Sequence, residues 1–306
     1  MIRLGLCCIF VREPIRFRST TASYLARTAD PEEHVRAIGE DNLAALEAAI
    51  RYCAAHDIGD FRINSNLFPA ATHPEVGYSL EPFGEGLERC GAVAQELGIR
   101  MTFHPDQFVV LNSPDEGVVE RSVADLEMHA YMAERVGADV INIHGGGVYG
   151  DKEAALERLR RNLDRLSPAA LERLTVENDD RSYTPEDLLP FCEEMGVPLC
   201  YDVHHHRCLS DGLSVEEATA AAVATWDREP LFHISSSKDK GHPTQHSDRI
   251  DIADWPKCWN NLDVTVEVEA KEKELAILPL IKQLKKKNVE VWTYDHWSSA
   301  RQSGHA

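Results

Sequence analysis

The chain has 306 residues, 43% of them hydrophobic, and a formal net charge of −19. That is enough apolar material for two ordinary domains or one (β/α) barrel, and the acidity argues against a generic nucleic-acid binder, which should be basic. No long apolar span and no charged-then-apolar leader occurs, so a soluble, unprocessed, cytoplasmic protein without membrane contact is expected.

Strand-like and helix-like stretches alternate along the chain. Ile2 to Phe10 reads as a strand, and Glu40 to His56 as a helix with Leu43, Leu46, Ala49, Ile50 and Cys53 on one face. Phe61 to Asn64 is a second strand, followed by a loop with His73-Pro74. A helix from Pro82 to Leu97 closes at Gly98 and leads into the third strand, Arg100 to His104. Ser113-Pro114-Asp115 opens a long helix that ends before Gly137. The fourth strand, Val140 to His144, runs into Gly145-Gly146-Gly147. Lys152 to Leu166 is helical and Leu174 to Glu177 is the fifth strand. Thr184-Pro185-Glu186-Asp187 caps a helix ending near Gly196. Leu199 to Asp202 is the sixth strand, and Ser214 with Glu217 forms a capping-box pattern for a helix reaching Thr225. Leu231 to Ser235, a short helix over Ile252 to Trp259, Val264 to Glu269 and a helix over Lys273 to Lys287 complete the series. The tail from Val289 is expected to add a strand to Trp292 and then fray, leaving the last ~15 residues loose.

Eight strand–helix units, no dinucleotide glycine pattern and no Pro/Gly/Ser-rich linker point to an α/β protein: one domain, a (β/α)8 TIM barrel. A doubly wound open sheet is the alternative. It would gather polar residues near one switch point, whereas here apolar runs close on His104, His144, Glu177, Asp202, His233 and Glu269. In a barrel these strand ends share one face, the face where active sites sit.

Taken singly, most of these residues have an ordinary explanation. His104 in Phe103-His104-Pro105 fits a turn histidine, and His246 on the loop after the seventh strand fits a surface histidine. Asp179 and Asp180 fit a capped loop, while Glu177 follows the apolar pair and points into the barrel mouth. His233 lies inside an apolar strand, where a buried imidazole needs a partner. In Val266-Glu267-Val268-Glu269, alternation puts Glu267 and Glu269 on one face, and an inward carboxylate needs a cation. Asp202 precedes His204, His205 and His206. Alternation sends His204 the same way as Asp202, whereas a turn beginning at Asp202 favours His205, and both remain open. Imidazoles and carboxylates without a required thiolate suit more than one Zn²⁺ or Mn²⁺ ion. The eight cysteines, with no C-x-x-C pair, read as buried thiols. Of the basic clusters, Arg12 to Arg18 could face phosphate, and Lys282 to Lys287 reads as a solvated helix end.

In order, FHPDQF, IHGGG, VENDD, DVHHH, FHISS and VEAK, with LGLCCIF and RINSNLFP upstream, resemble the UV damage endonucleases, relatives of the endonuclease IV-type barrels. The resemblance runs from Ile2 to about Lys271. It implies a (β/α)8 barrel holding a cluster of three divalent ions, often Mn²⁺, with Zn²⁺ and Mg²⁺ as the other candidates. It implies a nick immediately 5′ of a lesion in double-stranded DNA, leaving a 3′-hydroxyl, at pyrimidine dimers, 6-4 photoproducts and abasic sites. No obligate protein partner is implied. The ligands carried over are His104, His144, Glu177, Asp202, His205, His233, His246 and Glu269, with Glu177, Asp202 and Glu269 as the catalytic candidates. The family's choice in the sixth segment is thus His205, leaving His204 and His206 supporting or solvent-facing. Gln107 and Phe108 match the duplex-probing pair, and His73 matches a histidine that touches substrate. Three positions depart from the pattern. Leu231 stands where some members carry a modified lysine, Phe108 replaces Tyr, and Leu6 and Phe10 replace a Tyr and an Asn.

Two rival functions fit the residues less well. A metal-dependent sugar isomerase or epimerase on the same barrel needs a small closed pocket and no wedge. A non-catalytic metal-binding scaffold would not need ligands on six strand ends.

Overall fold

The computed structural model describes residues 1–302. Eight parallel strands close a barrel: β1 (Ile2–Cys7), β2 (Asp60–Ile63), β3 (Arg100–Phe103), β4 (Val140–His144), β5 (Leu174–Glu177), β6 (Leu199–Asp202), β7 (Leu231–Ile234) and β10 (Val264–Val268). β10 returns to pair with β1, with Ile2 opposite Val264. A two-stranded antiparallel hairpin, β8 (Ser237–Asp239) and β9 (His242–His246), stands out between β7 and β10.

Helices surround the strands: α1 (Ala22–Leu25), α2 (Pro31–Ala55), α3 (Gly84–Leu97), α4 (Glu116–Val136), α5 (Lys152–Leu163), α6 (Pro168–Arg173), α7 (Pro185–Met195), α8 (Val203–Cys208), α9 (Val215–Ala224), α10 (Glu274–Lys286) and α11 (Tyr294–Gln302). Their ends follow the sequence chemistry. Asp115 accepts the amides of Gly117 and Val118, Thr184 and Ser214 form reciprocal capping boxes, and Gly98, Gly137 and Gly196 end helices in the left-handed conformation. Among the described residues no helix is long and apolar enough to cross a membrane.

Several boundaries differ from expectation. β1 stops at Cys7 because Cys8 has a φ of 69°, outside extended geometry. α2 starts at Pro31 rather than at Glu40, since Asp30 caps it and Pro31 fills the first turn, although the stretch up to Glu40 is largely polar. Ile252 to Trp259 is not a helix; turns lead to a 3₁₀ segment over Lys257–Asn261. The tail does not fray at once. Val291 bridges in parallel to Ile2, Trp292 is buried, and α11 follows, with Trp297 stacked against Gly98. Residues 303–306 of the expected loose tail lie outside the described residues.

Alternation along the strands stacks the interior in layers. At the floor, Arg3 and Thr265 both meet Glu229, and Arg100 pairs with Asp139. Above it, Val140, Cys200 and Leu231 pack as a small apolar cluster. In the next layer Thr102 donates to Glu267 and Thr175 donates to Asn142. The uppermost layer, at the carboxyl ends of the strands, carries the acids and imidazoles.

Candidate metal centre

Glu177, at the end of β5, is the hub. Its Oε2 lies 3.0 Å from His104 Nε2 and accepts Asn142 Nδ2 at 2.6 Å. Its Oε1 lies 3.2 Å from both His205 Nδ1 and His233 Nδ1. Asn142 sits two residues below His144 on β4, so alternation turns both inward. The imidazoles of His104 and His144 have centroids 5.0 Å apart, and those of His144 and His205 are 6.0 Å apart.

In the sixth segment His204 and His205 part where the strand ends. β6 ends at Asp202 and α8 starts at Val203, with Asp202 as its N-cap accepting the His205 amide at 2.8 Å. A helical turn brings residue i+3 back over residue i, so His205, not His204, stands beside Asp202 and Glu177. Asn178 holds both ends of this turn, pairing with the Asp202 main chain and accepting His205 Nδ1 through its own carbonyl at 3.0 Å. His204 and His206 are both buried, not solvent-facing. His206 bridges Tyr201 Oη and Asp211 Oδ1, at 2.8 Å each, and pins α8 to the barrel wall.

Seven of the eight candidate ligands fall into three triads: His104, His144 and Glu177; Glu177, Asp202 and His205; Asp202, His233 and Glu269. Within each, one donor atom per residue lies within 4.8 Å of the others. Glu177 and Asp202 are each shared by two triads. His246, on β9, stands at the edge, with Nδ1 3.7 Å from Glu269 Oε2. A further triad of Glu177, Cys200 and His233 includes a thiol that burial pushes up to about 12.

The charges show what this arrangement needs. Glu177, Asp202, Glu267 and Glu269 are gathered here, and among the described residues the arginine paired with them is Arg62, whose Nη1 lies 2.9 Å from Glu267 and 2.7 Å from Glu269. Burial opposes ionisation of Glu177, yet His233, with hydrogen bonds from His104 and His205, outweighs it and holds its carboxyl well below the ordinary range. Burial also opposes a charged His205, but Asp202 and Glu177 push it up to about 11. Burial lowers His144, favouring the neutral imidazole that binds metals. His104 places Nδ1 3.0 Å from the Pro105 carbonyl, which turns Nε2 toward Glu177. The buried Asp202 Oδ2 and His144 Nδ1 have no hydrogen-bond partner. Orphaned donors in a carboxylate-rich, imidazole-rich mouth fit divalent cations.

The substrate-facing candidates lie nearby. Asp106 Oδ1 accepts the Phe108 amide at 3.1 Å, and this turn leaves Gln107 exposed and Phe108 76% exposed. His73 and Phe108 line one cavity of about 560 Å³ together with Arg121 and Asp125. A larger cavity, of about 650 Å³, lies at the floor near Asp139 and Arg228 and contains none of the candidate residues. Leu6 and Phe10 are buried in the core, Phe10 against Tyr52 and Phe61. In the basic segment, Arg16 is occupied by main-chain carbonyls and Arg18 by Asp41. All eight cysteines are free.

The sequence pattern singles out none of Arg62, Asn142 and Asn178, and it marks Glu267 only as a face-mate of Glu269. The available signal was alternation. Arg62 is a charge inside an apolar strand, and Asn142 is a polar residue two positions before a candidate ligand.

A family model described as UV-endonuclease UvdE matches residues 2–294. The UV DNA damage endonuclease of Bacillus velezensis is 31% identical over 291 residues, which cover 90% of this chain and 91% of that protein. The solved structure of SacUVDE superimposes with a TM-score of 0.88 at 30% identity, covering 95% of this chain and all of that one. Endonuclease IV from Thermus thermophilus shares the fold, with a TM-score of 0.60 at 15% identity over 93% of this chain and 99% of that one. The match over nearly the whole chain, on a barrel whose mouth gathers these acids and imidazoles, shows that the protein belongs to the UV-endonuclease UvdE family.

Proposed function

We propose that the protein is a metal-dependent endonuclease that hydrolyses the phosphodiester immediately 5′ of UV lesions in double-stranded DNA. The lesions are pyrimidine dimers and 6-4 photoproducts, with abasic sites as further substrates. It acts in the cytoplasm as one catalytic domain without an obligate protein partner. The observation that carries this reading is the set of three triads sharing Glu177 and Asp202, set beside an exposed phenyl ring at Phe108.

Residues His104, His144, Glu177, Asp202, His205, His233 and Glu269 would hold the ions, with His246 joining from the hairpin; three Mn²⁺ ions suit the donor set, and Zn²⁺ or Mg²⁺ are alternatives. What the cluster supplies when bound is a nucleophile from water at neutral pH and neutralisation of phosphate charge. Ions held there would also offset locally the acidity of the chain as a whole, which would otherwise repel DNA. The protein's own contribution is orientation. Asn142 and Asn178 fix Glu177 and the Asp202–His205 turn. Gln107 and Phe108 project where the duplex would lie and enter the base stack where it yields. Unstacking is least costly at a damaged step, so recognition rests on deformability rather than on base identity. His73 lines the same cavity, where it would touch the substrate.

Supercoiled plasmid, irradiated or not, tests this reading. With Mn²⁺ the irradiated plasmid should be nicked and the other spared, and chelation should stop the reaction. Glu269→Gln should abolish nicking with the fold retained by circular dichroism. Equal nicking of both plasmids would refute lesion specificity.

A further inference from the structure

Glu267 has no part in the reading so far, yet it is among the most enclosed acids in the molecule. It is fully buried on β10 and paired in register with His233 of β7. Its Oε1 accepts Thr102 Oγ1 at 2.6 Å. Its Oε2 lies 3.0 Å from His233 Nε2 and 2.9 Å from Arg62 Nη1. The same Arg62 nitrogen lies 2.7 Å from Glu269 Oε1. One guanidinium therefore ties an interior carboxylate to a carboxylate of the candidate cluster. The other side of the His233 ring faces the cluster, with Nδ1 3.2 Å from Glu177 and 3.7 Å from Glu269.

An imidazole binds a metal through one nitrogen, and the partner of the other nitrogen sets ring orientation and basicity. His233 has the Glu267 carboxylate at ion-pair distance from one nitrogen, outside hydrogen-bond geometry, and candidate ligands around the other. We propose that Glu267, backed by Thr102 and Arg62, is a positioning carboxylate. It holds Nε2 of His233 so that Nδ1 serves the cluster, while Arg62 holds Glu269 in its inward orientation. The proposal rests on the metal reading above.

A purely structural role predicts something different. A buried ion pair replaced on both sides by apolar residues of similar volume usually keeps the fold, whereas removing one partner strands a charge. The double variant Arg62→Met/Glu267→Met separates the two roles. The full chain, stripped with chelator, is titrated with Mn²⁺ by calorimetry, and bound metal per chain is counted by elemental analysis. Wild-type protein should take up the full set. The double variant should lose about ten- to a hundredfold in affinity for one ion, with the remaining ions unaffected. Unchanged affinity and stoichiometry would overturn the proposal. Should the double variant fail to fold, near-isosteric Glu267→Gln decides: weakened binding of one ion supports positioning, and wild-type binding refutes it. Failure of the wild-type chain to bind Mn²⁺ would instead remove the metal reading itself, and this proposal with it.

Discussion

Phe108 is 76% exposed at the barrel mouth, although burying such a side chain is worth about 1.5–3 kcal/mol. A turn built on Asp106 holds it out, so its exposure is a local design and not a frayed end. A ring stacking on an opened base step contributes about 1–3 kcal/mol. Phe108→Ala should therefore leave the stability, read by thermal melting, within about 0.5 kcal/mol of wild type. It should lower the ratio of irradiated to unirradiated plasmid nicking roughly tenfold, in line with that stacking energy. An unchanged ratio would remove Phe108 from recognition, and a sugar isomerase would be indifferent to the change. At this scale Asp202, Glu177 and the histidines at strand ends were legible, because each interrupts an apolar run. Arg62 was not, because a single charge inside a short strand is also what a misassigned loop looks like.

Two helices show how elements place chemistry. α8 is a helix of six residues whose cap is Asp202, so one carboxylate both starts the helix and faces the candidate cluster. Strand alternation, carried past Asp202, favours His204; the helix begins there instead, and 3.6-residue periodicity selects His205. The run of histidines masked that start. α7 begins with the Thr184–Asp187 capping box, readable from sequence alone. Burial would raise the Asp187 carboxyl, but Lys152 at 2.6 Å and the Thr184 amide outweigh burial and hold it below its ordinary value. A carboxyl depressed in the folded state stabilises above its unfolded pKa of about 3.9, and that contribution is lost as pH falls through the folded value. Wild type should thus be more stable than Asp187→Asn at pH 7, by about 1 kcal/mol for a weakened cap. The gap should close in acid below about pH 4. Melting curves from pH 7 to 3 check this, and a gap of constant size would contradict it.

In the whole molecule the two ends of the barrel have different work. The mouth holds acids and imidazoles, and the floor is a structural plug of Arg3, Arg100, Glu229 and Asp139 covered by the carboxyl-terminal segment. Trp292 lies beneath the guanidinium of Arg3 at 5.4 Å, and α11 packs at this same end, with Arg301 donating to the Glu96 carbonyl at 2.7 Å. Deleting everything after Thr293 should cost about 1–2 kcal/mol and a few degrees of melting temperature, mostly from the half-buried Trp297. Nicking per folded molecule should persist, because the deletion is remote from the mouth. Loss of nicking in a folded truncated protein would show that the two ends are coupled. Leu231, where some family members carry a modified lysine, packs in a small apolar cluster with Val140 and Cys200, and the carboxylate beside His233 comes from Glu267 on the neighbouring strand.

Barrel class, strand order and the residues at the strand ends followed from sequence, because hydrophobic period and capping are local properties of the chain. The family followed from the order of its motifs. Which imidazole stands beside Asp202, how Glu267 and Arg62 join His233 to Glu269, that the hairpin lifts His246 to the edge, and that the tail seals the floor were decided by tertiary structure. These depend on the closing of β10 onto β1 and on the stagger between strands, which bring together residues more than two hundred positions apart, such as Arg62 and Glu267. No local pattern encodes a distance of that kind.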